Sequence, residues 1–214
     1  MAGAAADAGR ALRKAVPRVS HAAWEPDRER APLAVLEATN WRRVPELVAI
    51  RIERIRASPF AFLRGAPAVM AADLAATPVT GISVQACGDA HLLNFGLFAT
   101  PERNLVFGLN DFDETHYVRQ LWDMKGSVQL EDMTGGDLVD YARLCGWVLA
   151  RAHARSGDGA AISGYLGGRD RFDGAVADFA EAYADQTLAD YAAFLKAGER
   201  PATPGPGSGG GPDH

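Results

Sequence analysis

The sequence predicts an α+β protein, mostly helical, with one small antiparallel hairpin. Three patterns predict it. Two short apolar runs, Phe95 to Ala99 and Leu105 to Leu109, flank "TPERN", which is turn chemistry between strands. Before them, Leu47, Val48, Ile52 and Ile55 recur at helical spacing. After Thr115 two long stretches space their apolar residues the same way. Helices, a hairpin, then helices again is the order of an α+β chain.

Residues 1–31 are rich in Ala, Arg and Pro, and read as an N-terminal arm, extended, with a short helix near Ala11. Pro45 suits the first turn of the helix that carries Leu47 to Ile55. Ser58-Pro59 breaks that helix. "GAPAVMAADLAA" forms a second helix from about Pro67, and Gly81 ends the link to the next strand. That strand is Ile82 to Cys87, where polar and apolar residues alternate. The hairpin comes next. "GDLVDYARLCGWVLARAHARSGD" then places Leu138, Tyr141, Cys145, Val148, Leu149 and Ala152 on one helix face, with Gly157 just past its end. A last helix carries Phe172, Val176, Phe179, Tyr183, Tyr191 and Leu195, and Gly198 stops it. Residues 32–198 thus form the folded domain, and 199–214, "ERPATPGPGSGGGPDH", a Gly/Pro-rich disordered tail.

Composition bounds the function. A chain of 214 residues with 23% charged and 48% hydrophobic residues can bury a real core. The formal charge of -5 and the lack of a long basic run argue against a nucleic-acid partner. No apolar run nears the roughly 18 residues that a membrane span requires, so no membrane partner is expected. The N-terminus lacks an apolar core of the signal-peptide kind. Cys87 and Cys145 fit no zinc or redox spacing, and read as small buried groups of a cytoplasmic protein.

The chemistry concentrates between Val84 and Thr115, where Asp89, His91, Asn94, Asp111, Asp113 and Glu114 alternate with apolar runs. With the hairpin turn centred between Glu102 and Arg103, Asn94 and Asp111 face each other across the ladder. Directly opposed residues hold their Cβ atoms about 5 Å apart. An amide oxygen and a carboxylate at that spacing suit a hard cation, Mg2+ or Mn2+, rather than zinc. Asp89, five residues before Asn94, can point at the same place as a base for a hydroxyl proton. Taken singly, Asp, Asn and Gly are also what turns use. Asp113 either adds a metal contact or solvates a strand end, as does Glu114. His91 is a ligand, a phosphate contact or a brace for its loop. Arg64, next to Gly65, either clamps a phosphate or pairs with Asp73 or Asp89.

"GDAHLLNFG" followed by "LNDFDET" resembles the bacterial family known as domain of unknown function 2252, grouped with the protein-kinase-like superfamily. "VPRVSHAAW", "SPFAFLRGAPAVMAADLA", "VRQLWDMKGS", "LARAHARSGD" and "FAEAYADQTLADY" extend the likeness from about Leu12 to Lys196. The resemblance implies a fold like the catalytic-loop half, the C-lobe, of a kinase. It implies that Asp89 takes the catalytic aspartate position of a D-x-x-x-x-N pattern and Asn94 its metal-binding asparagine. Asp111 is similar to the metal-binding aspartate that kinases place after the next strand. Mg2+ or Mn2+ and ATP are the implied cofactors, and a nucleotide or phosphorylated small molecule the implied partner.

The likeness also exposes a gap. In the family, a long segment separates the counterparts of "NDFDET" and "VRQLWDMKGS". It holds a glycine-rich turn, a strand lysine and a helix glutamate. In this chain Thr115 runs almost directly into "HYVRQLWDMKGS", a junction that reads as a deletion near 115–116. "GPGSGGG" in the tail has no strand before it and no helix after it, so it fails as a phosphate loop. Lys125 succeeds no convincing strand; it is a phosphate contact or a surface lysine. The expected function is a kinase-like phosphotransferase site in a chain that lacks the nucleotide cradle. Such a chain is inactive alone, or only binds metal or nucleotide, and exposes apolar surface that favours self-association. A metal-dependent phosphohydrolase and a non-catalytic interaction protein are the alternatives.

Overall fold

The computed structural model describes residues 2–41, 43–86, 90–109 and 133–198. Helices dominate: α1 (Ala2–Ala15), α2 (Pro32–Asn40), α3 (Pro45–Arg56), α4 (Pro59–Gly65), α5 (Pro67–Leu74), α6 (Gly135–Ser156), α7 (Gly159–Leu166) and α8 (Arg171–Gly198). Strands β1 (Phe95–Ala99) and β2 (Leu105–Leu109) form one two-stranded antiparallel sheet. The α+β expectation therefore holds. The chain divides into two compact units, one drawn from Met1–Glu25 and Ala71–Ala180, the other from Pro26–Met70 and Glu181–His214.

In the second unit, helix starts are set by proline. Pro32, Pro45 and Pro59 each sit in the first turn, where a missing N–H costs nothing. Ser58 adds a cap to α4, its hydroxyl accepting from the Ala61 N–H at 3.0 Å. The break expected at Ser58-Pro59 is thus a helix start. Leu36, Ile55, Phe62, Ala66, Val69 and Phe194 make the core, with the Phe62 and Phe194 rings 5.4 Å apart. Beside it the Arg30 guanidinium donates to both carboxylate oxygens of Asp190 at 2.6 Å. Tyr191 closes a further tie by donating to the Arg56 carbonyl at 2.6 Å.

In the first unit the N-terminal segment is more helical than an extended arm with a short helix near Ala11. It is a helix of 14 residues, α1, packed on α7. The two backbones meet at glycines. A Cβ on Gly9 would stand 2.0 Å from the Ala161 carbonyl oxygen, and one on Gly164 2.2 Å from that of Ala6. Arg13 and Arg18 then donate to the carbonyls of Gly164, Tyr165 and Leu166 at the end of α7. A helix C-terminus carries unsatisfied carbonyls and partial negative charge, so two guanidinium groups there answer both. Alanine is the strongest helix former, and the small Ala/Gly contact face lets the two backbones close on one another.

Residues 82–86, the described part of the strand expected at Ile82 to Cys87, form no strand. The segment takes a side-chain partner instead: the Gln85 N–H donates to the Ser156 hydroxyl at 3.0 Å. Cys87 lies outside the described residues.

The hairpin register is also corrected. The ladder pairs Phe95 with Leu109 and Ala99 with Leu105, one residue away from a turn centred between Glu102 and Arg103. Asn94 stands in the 3₁₀ turn ahead of β1, outside this ladder, and Asp111 lies outside the described residues. The turn explains the shift. Thr100 closes it with Asn104 (N–H to carbonyl, 2.9 Å), and the Arg103 N–H donates to the Thr100 carbonyl at 2.8 Å. Arg103 has φ 63°, the left-handed residue of a three-residue loop. An odd loop moves the pairing by one.

Candidate functional site

The site is built from the base of the hairpin outward. Phe95, Leu109, Tyr141 and Cys145 form a buried cluster, flanked by Leu92, Phe107, Met133, Val148 and Leu149. Phe95 begins β1 and is 1% exposed, so this end of the ribbon is pinned to α6. The Phe107 ring stacks on Phe95 at 6.3 Å and meets Tyr141 edge-on at 5.9 Å. α6 itself is held in place at its start by a reciprocal cap. Thr134 accepts from the Asp137 N–H, and the Asp137 carboxylate accepts from the Thr134 N–H at 3.0 Å.

Just before β1 the chain makes a 3₁₀ turn, Leu92–Asn94. The Asn94 N–H donates to the His91 carbonyl at 2.8 Å, and the Phe95 N–H donates to that of Leu92. Asn94 is 5% exposed, a buried carboxamide at the mouth of the ribbon. Tyr141 reaches this turn from α6. Its hydroxyl shares one proton between the Leu92 carbonyl, at 2.9 Å, and the Phe95 carbonyl, at 3.2 Å, which flank Asn94 along the chain.

Burial, with a smaller contribution from Cys145, holds the Tyr141 hydroxyl above its ordinary range, so it stays a donor. Burial likewise pushes the Cys145 thiol up. A buried thiol held in its neutral form is a packing group, not a nucleophile.

The structure places the sequence candidates unevenly. His91 and Asn94 sit together, His91 half-buried at the start of the turn and making no side-chain cap to it. Arg64 belongs to the other unit, exposed in the last turn of α4, its guanidinium carbon 5.9 Å from the centre of the Phe60 ring. Asp89, Asp111, Asp113, Glu114 and Lys125 lie outside the described residues. Among the described residues no group of three or more His, Cys, Asp or Glu could hold a metal ion. No described helix is long and apolar enough to cross a membrane. Tyr141 is the residue that sequence reasoning missed. It was legible as part of the core stripe of α6, and a buried tyrosine hydroxyl generally has a partner.

A family model described as an uncharacterized protein conserved in bacteria, DUF2252, matches residues 43–117 and 115–197. The chain belongs to this family. The DUF2252 match takes in the turn, the hairpin, α6 and nearly all of α8. No curated protein and no solved structure matches the chain.

Proposed function

We propose that this DUF2252 chain carries the catalytic-loop half of a kinase-like phosphotransferase site. The observation that carries the reading is Asn94, a carboxamide buried at the base of a two-stranded ribbon, in a turn tied to α6 on both sides. The donor chemistry fits a hard cation. Asn94 offers an amide oxygen on a rigid element, and Asp111 with Asp113 offer carboxylates in the residues just after β2. When bound there, Mg2+ would neutralise phosphate charge. Asp89 would accept the proton of an acceptor hydroxyl. The acceptor oxygen bonds to the γ-phosphorus as the bond to the β-phosphate bridge breaks and ADP leaves with its electron pair. His91 would contact phosphate beside Asn94. Lys125 is the remaining candidate to contact phosphate.

The two family matches meet at 115–117, which supports a chain whose two halves are joined without the nucleotide cradle. Positioning supplies most of the rate in phosphoryl transfer, so binding is expected to outlast turnover. Calorimetry with Mg2+ and ATP tests this reading. The expected outcome is magnesium-dependent ATP binding, weakened at least about tenfold in Asp111→Ala, a loss typical of altered metal sites. Absence of both magnesium and nucleotide binding would exclude it. Manganese-stimulated hydrolysis of a simple phosphoester without ATP would favour a phosphohydrolase instead.

A further inference from the structure

We infer that Tyr141 is a positioning residue for Asn94: through one shared proton its hydroxyl ties the Leu92 and Phe95 carbonyls, which flank that residue along the chain. The inference rests on the proposed role of Asn94. Asn94 has a backbone set by its neighbours. Its own N–H is committed to the His91 carbonyl at 2.8 Å. The Leu92 carbonyl accepts from the Phe95 N–H and, at 2.9 Å, from Tyr141. The Phe95 carbonyl accepts from Tyr141 at 3.2 Å. One donor therefore spans the turn and the first strand residue, and sets the angle at which the chain leaves the turn.

Tyr141 is itself held. It is 7% exposed, meets Phe107 edge-on, and lies one helical turn before Cys145 on α6. Its oxygen cannot move far without emptying packed space. Helices are also better supports for a site than loops, because their side chains are locked by packing. A ligand on an otherwise mobile turn loses affinity in proportion to the ordering it must undergo on binding. Pre-ordering by a neighbouring hydrogen bond removes that loss, and outer partners of metal ligands typically contribute about 10–100-fold in affinity.

Tyr141→Phe keeps the ring and removes only the donor. The tests are Mn2+ binding by electron paramagnetic resonance, without nucleotide, and amide hydrogen exchange, both on the full chain. Mn2+ affinity is expected to fall at least about tenfold in Tyr141→Phe. The Asn94 and Phe95 amides should exchange faster while those of β2 keep their protection. Wild-type Mn2+ affinity in Tyr141→Phe overturns the inference. If the wild-type chain binds no Mn2+, the functional proposal fails and exchange alone decides. Faster exchange confined to residues 94 and 95 then supports the positioning role, and unchanged exchange overturns it. Should Tyr141→Phe not fold, the wild-type chain decides. Clamped amides at 94 and 95 exchange as slowly as the core of α6. Exchange by local opening overturns the inference.

Discussion

Asn94, Gly164 and His21 show how single side chains govern this protein in different ways. Asn94, the proposed cation ligand, is buried in a turn whose Leu92 and Phe95 carbonyls accept from Tyr141. Gly164 is structural by what it lacks. Because a Cβ there would meet the Ala6 backbone at 2.2 Å, Gly164→Ala is expected to force α1 from α7. The cost is about 1–3 kcal/mol, as for other overpacked contacts, and urea denaturation checks it. His21 is a pH-sensitive strut. Tyr165 donates to the Val16 carbonyl at 2.9 Å, so its oxygen accepts from His21 Nε2 at 2.8 Å. Burial lowers the affinity of His21 for a second proton below its ordinary value of 6.5. Between 6.5 and the lowered value the unfolded chain binds more protons than the folded one, so stability rises with pH there. On acidification the loss begins below 6.5 and levels off below the folded value. Urea midpoints at successive pH values should drop across that window, and His21→Gln should flatten the drop. An equal slope in His21→Gln would count against this role.

The elements differ in how much of them the sequence declares. α3, α5, α6 and α8 announce themselves because periodic apolar residues are framed by Pro45, Pro67, Gly157 and Gly198. α1 does not, since its contact face is built from Gly9 and small alanines rather than large apolar side chains. α7 is eight residues long, too short for its period to register. The hairpin was legible as a pair of strands, but its register was not. Arg103 adopts a left-handed backbone that arginine does not advertise, and the loop it closes is odd rather than even. The α6 cap gives a prediction at this scale. Thr134→Ala should cost about 1 kcal/mol by removing the hydroxyl that accepts from Asp137 N–H. Bonds from Thr134 hold the Asp137 carboxyl below its ordinary 3.8. Its contribution is therefore complete above 3.8 and lost as pH falls through the lower folded value. Thermal melts at neutral pH and in acid check both; a melting temperature untouched by Thr134→Ala would reject the cap.

The whole molecule is two units built from interleaved stretches of chain, with α5 and α8 contributing to both. The turn-hairpin-α6 assembly that presents Asn94 lies entirely within the first. Arg64, read from the sequence as a phosphate clamp or a structural partner of Asp73 or Asp89, belongs to the second. Spacing along the chain could bring Asp89, Asn94 and Asp111 to notice, because a D-x-x-x-x-N run before a hairpin is local information. It could not supply Tyr141, which arrives from 46 residues beyond Phe95 and acts through a backbone contact. The central claim is that Asn94 and Asp111 grip one divalent cation. Titrating Mn2+ into the wild-type chain, Asn94→Ala and Asp111→Ala, with bound ion read by electron paramagnetic resonance, tests it most directly. The account predicts one bound ion in the wild type and at least about tenfold weaker binding in each variant, with the fold intact. A wild-type chain that binds no ion, or one whose binding ignores both substitutions, would contradict it.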